Sequence, residues 1–244
     1  MRIHVTGATG YLGSELVRLV PDASTERVDV RDRAAVERLL ERLRPDVVIH
    51  TAYRQNGPEA WEVNVAGAGH VAGAAAAVGA RLVHLSSDVV FDGRKGTPYV
   101  EPDPLSPVNE YGRTKAEGER RVSAENPSAL IVRTSVIVAG ESPSKHELAA
   151  TEPATWFTNE IRSPVQVTDL AQALLELADL DVSGPLHVAG ADGVSRAELA
   201  ELVAGRRVDT AEAPPGRPLD CRLDSTRAQS LIRTRLRGVR EVLA

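Results

Sequence analysis

A short β-branched run, Ile3-His4-Val5-Thr6, passes directly into Gly7-Ala8-Thr9-Gly10-Tyr11-Leu12-Gly13, and an amphipathic stretch follows at once. Few features restrict a fold so tightly. In a strand–turn–helix of this kind the first glycine permits a sharp turn and the second lets backbone approach a diphosphate. The third lets the helix lie close to the strand. The helix opening then offers free N–H groups and a positive dipole end to an anion. A chain built on such a unit is directed toward a parallel sheet covered by helices, with a nucleotide at the carboxyl edge of its strands.

The rest of the sequence repeats that alternation. Strands are predicted over Ile3 to Thr6, Asp46 to His50, Arg81 to Ser86, Leu130 to Arg133 and Leu186 to Val188. Helical spacing appears after Gly10 (Leu12, Leu16, Val17, Val20), from Ala34 to Leu43, from Glu59 to Val78, from Arg113 to Ala124 and from Thr168 to Leu180. A further helix spans Ser195 to Val203, where Ser195 and Glu198 form a capping-box signal. The segment Val20 to Arg27 is short, contains Pro21 and lacks an apolar run, so the second strand of a dinucleotide fold is truncated or missing. Ala139 to Pro164 and Ala213 to Leu219 read as irregular. With aromatics at 3%, the core must come from Val, Leu, Ile and Ala. The expected fold is α/β, a doubly wound parallel (Rossmann) sheet in residues 1–136. A smaller substrate-binding α/β lobe occupies 137–244, with 164–182 returning to the first part.

Several function classes recede on composition. A net charge of −5 argues against a broad nucleic-acid surface. No run of about 20 apolar residues is present, so no membrane span is expected. The first residues carry no secretion signal, and the single Cys221 cannot form an internal disulfide. Both point to the cytoplasm. His4, His50 and His84 sit in or at the ends of strands without metal-ligand spacing, so no metal is expected. Ser86-Ser87 lacks the G-x-S-x-G elbow of serine hydrolases. The basic run Arg233 to Arg240 reads as a solvated face, and Trp156-Phe157 as either a substrate lid or local packing.

The reactive candidates lie elsewhere. Ser86-Ser87-Asp88-Val89 leaves a strand at its carboxyl end, where open α/β sheets bind ligands. Tyr111 and Lys115, four residues apart on a predicted helix, share one face. A neighbouring ammonium is expected to lower the phenol's pKa. Tyr111 would then protonate a carbonyl oxygen as hydride arrives, and the Ser87 hydroxyl would hold the same oxygen.

These segments resemble the extended short-chain dehydrogenases, most closely the dTDP-4-dehydrorhamnose reductase group. The likeness is carried by residues 6–13, 44–52, Val63-Asn64, 86–93, Pro98-Tyr99, Tyr111-Gly112-Arg113-Thr114-Lys115 and Arg133-Thr134-Ser135. It implies a cofactor, NADP or NAD, lying across Gly7, Gly10, Tyr11, Leu12 and Gly13, with Asp29 and Val30 near the adenine. Thr51, Ala52, Tyr53 and Ser86 would border the cofactor's middle, and Lys115 would also hold the nicotinamide ribose. Ser87, Tyr111 and Lys115 would be the catalytic set, and Ser87, Asp88, Val89 and Tyr111 would meet the substrate. The residues leave NADP against NAD open, since Asp29 suits a ribose hydroxyl and Arg31 a 2′-phosphate. The implied reaction is NAD(P)H-dependent reduction of a keto group on a nucleotide sugar. Val89 and Val136 stand where relatives commonly carry aromatics. The alternatives are an epimerase or dehydratase with tightly held NAD, and a non-catalytic NAD(P)-binding regulatory subunit. The expected partners are a small-molecule substrate and a second copy in a homodimer, with neither nucleic acid nor membrane.

Overall fold

The computed structural model describes residues 1–244. Five parallel strands form the central sheet: β1 (Ile3–Thr6), β2 (Val47–His50), β3 (Arg81–Ser87), β4 (Leu130–Thr134) and β5 (Gly184–His187). Their spatial order is β1-β2-β3-β4-β5. The helices are α1 (Tyr11–Leu19), α2 (Arg33–Leu43), α3 (Ala68–Ala77), α4 (Glu110–Glu125), α5 (Lys145–Thr151), α6 (Val167–Ala178), α7 (Arg196–Ala204), α8 (Thr226–Leu231) and α9 (Val239–Val242).

Alternation along the strands sends side chains to both faces, and both are covered. Ile3, Val5, Val47, Ile49, Val83, Leu85, Leu130, Val132 and Leu186 pack under α1 and α6 in the larger core. Val48, Leu82 and Ile131 face α2, α3 and α4. Small side chains at Ala68, Ala72 and Ala75 let α3 lie close to the sheet, and these three are fully buried. The doubly wound arrangement expected from the alternating pattern is therefore present.

The second strand is indeed lost. After α1 the chain makes one parallel bridge, Ser24 to His4, closed by Val5 N–H to Ser24 O at 2.9 Å, so β1 borders the sheet. The last strand begins at Gly184, two residues before the expected Leu186. Helix α4 starts three residues earlier than its apolar pattern suggested, because Asn109 caps it, its Oδ1 accepting from Gly112 N–H at 2.7 Å. The expected helix from Glu59 is interrupted by a wide π-type turn at Glu62–Gly67 that leads into α3.

The irregular reading of Ala139 to Pro164 is corrected. Ser144 and Glu147 form a capping box that starts α5. Thr155–Phe157 pairs in parallel with Asp209–Ala211, and Ile161–Arg162 pairs antiparallel with Val194–Ser195. Ile137–Val138 pairs in parallel with Val165–Gln166. Each partner is remote in sequence, so no local periodicity announces the pairs. The box expected at Ser195 is only half closed. Ser195 Oγ accepts from Glu198 N–H at 3.0 Å, while the Glu198 carboxylate turns to Arg240 at 2.6 Å. Arg237 and Arg235 likewise pair with Asp169 and Glu241, so three arginines of the exposed C-terminal basic run each meet a carboxylate.

Candidate active site

Two cavities, about 750 Å³ and about 680 Å³, open at the carboxyl ends of β1 to β4 and share Gly10, Thr51 and Tyr53 in their walls. The first is bordered by Gly7, Asp29, Val30 and Ala52, the second by Tyr11, Leu12, Gly13, Ser86, Ser87, Asp88, Val89, Tyr111 and Lys115. Every catalytic, cofactor and substrate candidate from the sequence thus borders one of these two adjoining cavities.

The glycine turn joins the two halves. Gly7 has φ +71°, and a Cβ there would stand 2.7 Å from Ala52 N. At Gly13 a Cβ would come within 2.2 Å of Gly7 O, so only glycine lets α1 sit against the turn. Nothing but Gly7 O lies near the Cβ position of Gly10, leaving that side of the turn open to the groove. Helix α1 begins there with neither a side-chain cap nor an acidic residue in its first turn. Free N–H groups, an uncompensated dipole end and an open backbone together fit a dinucleotide diphosphate. The Tyr11 side chain borders the second cavity. Its hydroxyl donates to Ser142 O at 3.0 Å and accepts from Gly140 N–H at 2.8 Å, tying the turn to the segment before α5.

At the far end of the first cavity Arg31 lies between Asp29 (2.7 Å) and Glu59. Its guanidinium holds the Asp29 carboxyl down at about 2. Val30 is buried beneath Gly67, and His70 Nδ1 meets its carbonyl at 3.0 Å, so Val30 shapes the wall from behind.

At the other end β3 and α4 bring the reactive groups together. Ser87 Oγ donates to Asp88 Oδ1 at 3.1 Å, and Asp88 Oδ2 accepts from Ser135 Oγ at 2.6 Å. Burial raises the Asp88 carboxyl, while Arg162, 3.8 Å away, acts in the opposite direction. The Tyr111 ring lies 6.0 Å from that of Tyr53. Lys115 is buried on the same helix face, donates to Leu85 O at 2.6 Å and stands 5.6 Å over the Tyr53 ring. Burial pulls its amine down to about 8, with Glu119 partly offsetting the effect.

The expected depression of Tyr111 by Lys115 does not occur here. Burial pushes the phenol up, Tyr53 and Asp88 add to the rise, and only the Ser87 hydroxyl opposes it. Lys115 directs its amine to Leu85 O instead. Tyr111 is therefore a firmly protonated phenol at neutral pH, ready to donate. Ser86 borders the cavity, but its hydroxyl donates to Glu119 at 2.5 Å within a buried Glu119–Arg133 ion pair. Asn64, on the π-type turn, binds the Arg54 backbone through both amide atoms and donates to Thr114 at 2.9 Å, fixing the loop after β2 against α4.

The chain after β4 adds groups that the sequence reading missed. Arg162, Arg196 and Arg217 reach the second cavity, and so do Lys145, His146 and Glu160. Arg162 is fixed by carbonyls, donating to Pro218 O at 2.8 Å and to Ile161 O at 2.8 Å. Glu160, 2% exposed, pairs with Arg217. Arg196 is buried deeply enough that its pKa falls to about 10, and its Nη1 has no protein partner. Five Lys or Arg side chains border this cavity against three carboxylates, so it suits an anion. Trp156 and Phe157 lie behind these arginines, under Arg196 at 5.3 Å and Arg217 at 4.8 Å, which makes them supports rather than a lid. Arg162 and Arg217 lie in segments without periodicity and Arg196 at a helix start, so no pattern in the sequence links the three. Only the short strand pairings bring them together.

The whole chain, residues 1–244, matches the family model described as the RmlD substrate binding domain. A dTDP-4-dehydrorhamnose reductase of Mycobacterium tuberculosis is 37% identical over 83% of this chain and 74% of its own. The methionine adenosyltransferase 2 subunit beta of Rattus norvegicus is 32% identical over 83% of this chain and 71% of its own. Among solved structures, dTDP-4-dehydrorhamnose reductase from Bacillus anthracis in complex with NADP superposes with a TM-score of 0.87. It is 25% identical and covers 99% of this chain and 96% of that one. With its full length matched and a close relative spanning most of it, the chain belongs to the RmlD substrate binding domain family.

Proposed function

We propose that this protein reduces a keto group on a nucleotide sugar with a bound nicotinamide cofactor. The observation that carries the reading is the convergence of Tyr111, Ser87 and Lys115 on one cavity that continues into a glycine-lined diphosphate groove. The cofactor, NADPH or NADH, supplies the hydride. In this reading the first turn of α1 holds its diphosphate, and Asp29 and Arg31 meet its adenosine end.

The chain's own part is binding and proton delivery. Ser87, oriented by Asp88, donates a hydrogen bond to the carbonyl oxygen and polarises it. Tyr111, protonated throughout the neutral range, gives its proton to that oxygen as negative charge develops, because an alkoxide is more basic than a phenolate. Lys115, its amine held on Leu85 O on the same face of α4, binds the nicotinamide ribose and supplies the proton that restores the phenol. Arg196 and Arg217 hold the substrate's diphosphate, which gives the orphaned Arg196 Nη1 a charged partner. Residues 1–136 with 164–182 carry the dinucleotide side, and the remainder carries the sugar side.

The test is direct. The purified protein, given NADPH or NADH and a panel of 4-keto sugars linked to nucleoside diphosphates, should oxidise the cofactor stoichiometrically with formation of the alcohol. Product without net cofactor consumption would establish the epimerase or dehydratase alternative. The likeness to the methionine adenosyltransferase subunit favours a second reading, a nucleotide-binding subunit of another enzyme. That reading predicts cofactor binding with no turnover on any member of the panel.

A further inference from the structure

Seven buried side-chain atoms lack a protein hydrogen-bond partner. Four of them are ring nitrogens on one face of the central sheet: His4 Nε2, His50 Nε2 and both nitrogens of His84. The rings come from β1, β2 and β3, point toward the α3–α4 side and are at most 2% exposed. His50 and His84 stand opposite one another in the parallel register and stack with centroids 5.2 Å apart at 27°. His50 Nδ1 meets Thr6 Oγ1 at 2.6 Å. At the open edge of the sheet, His4 Nδ1 meets Ser24 Oγ at 3.2 Å. At the inner end lies Lys115, near enough that its charge depresses both His50 and His84, with its amine on the carbonyl of the residue after His84.

A buried polar atom without a partner costs about 1–3 kcal/mol. Internal water, which needs two to four polar partners, is the usual relief in a folded core. This row supplies such partners from the sheet edge to the catalytic lysine.

We propose that His4, His50 and His84, bridged by internal water, form a relay that returns a proton to Lys115 from the sheet edge at Ser24 while cofactor and substrate fill the cavity. The proposal rests on the reductase reading of the site. In each turnover the Tyr111 proton passes to the substrate oxygen, leaving a phenolate. An ammonium proton of Lys115 restores the phenol and leaves a neutral amine. Each imidazole then gives its N–H proton forward from one nitrogen and takes one from behind at the other, so one proton is drawn from solvent near Ser24 and each ring changes tautomer, which proton exchange with the bridging water reverses before the next turnover.

Burial keeps the rings neutral. His50 is pulled down to about 3, His84 lies well below its ordinary value and His4 is lowered. A neutral imidazole carries one donor and one acceptor, the state in which it can receive and release a proton together. The groups around Lys115 are Glu119 on its own helix, Tyr53 from the loop after β2, Tyr111, His50 and His84. Of these only Glu119 is an anion, and it is already paired with Arg133. The histidines act through Lys115, as positioning residues.

Two measurements test the relay. His84→Leu removes two unpartnered nitrogens from an apolar interior, so a purely structural histidine predicts unchanged turnover and an equal or higher Tm. The relay predicts that kcat falls about tenfold, less than for a directly acting acid. KM should stay unchanged for both substrates, and the solvent deuterium isotope effect on kcat should rise. A folded His84→Leu protein with parental kcat and isotope effect overturns the proposal. The second measurement needs no turnover and no variant. A crystal structure that resolves ordered water should place water within hydrogen-bond distance of His50 Nε2 and the His84 nitrogens, and a dry row overturns the relay. Absence of turnover in the parent protein marks instead the failure of the reductase reading.

Discussion

The two ends of the groove are built by opposite means. The end bordered by Gly7 and Gly10 is made largely from backbone within one stretch of eight residues, where glycines and an uncapped helix terminus face the cavity. The substrate end is made from side chains that arrive from β3, α4, the Ile161–Arg162 strand, α7 and the segment before Cys221. Backbone recognition suits a ligand whose diphosphate never changes. Side-chain recognition can be altered one residue at a time, and here Val89 and Val136 stand at positions where aromatics are common in the group the sequence resembles. In the proposed reading the first end therefore sets the cofactor class, and the second the individual substrate.

That contrast can be broken experimentally, beginning with its strongest consequence. Tyr111→Phe should lower kcat by about 10²–10⁴-fold while the fluorescence-measured affinity for NADPH stays within a factor of about two. A Tyr111→Phe protein with parental turnover would remove the phenol from the mechanism. Arg196→Gln should raise KM for the nucleotide sugar about tenfold or more, the worth of one charge-assisted hydrogen bond, with kcat and cofactor affinity little changed. Were cofactor affinity to fall instead, the two ends would not be separable in the way proposed.

A smaller effect concerns stability at the reactive end. Lys115 ionises near 8 in the folded chain and near its ordinary 10.5 when unfolded. Between those values the unfolded state binds more protons, so stability rises with pH across that window, and the burial penalty is fully present below it. Lys115→Met should therefore be more stable than the parent at pH 7, by on the order of 1 kcal/mol after the lost bond to Leu85 O is counted. Its advantage should shrink as pH rises through 8 toward 10. Urea midpoints at pH 7 and 9.5 measure this. An advantage that is constant with pH would show that Lys115 is not held as a strained cation.

The smallest effect is expected where Asp29 and Arg31 border the first cavity, the proposed adenosine end. Asp29→Asn loosens the exposed pair with Arg31 and should shift the NADPH-to-NADH preference toward NADPH by a few-fold, the scale of a solvent-exposed ion pair. Parallel kcat/KM values for the two cofactors would measure the shift, and an unchanged ratio would separate Asp29 from cofactor choice.

Much of the architecture was legible in the residues. Strand positions, the glycine turn, the missing second strand at Pro21 and the Tyr111–Lys115 face all depend on contacts within a few residues, which local pattern encodes. The short strands around the lobe were not legible. Thr155–Phe157 and Asp209–Ala211 each have too few residues to show a period, and they exist only because the other is beside them. The expected lowering of the Tyr111 pKa is overturned for a related reason. Spacing along α4 placed an ammonium nearby, but burial depth and the Leu85 carbonyl that takes up Lys115 are set by β3 packing against α4.

By itself, then, the sequence determined that this chain forms a glycine-opened βα unit and continues it as a parallel sheet, because hydrophobic period, turn chemistry and helix caps are short-range properties. Tertiary structure alone decided which arginines meet across the cavity, which hydroxyls remain free and which histidines lie buried in a row beneath Lys115. Those facts depend on distance and desolvation between segments far apart in the chain, and no local pattern records them.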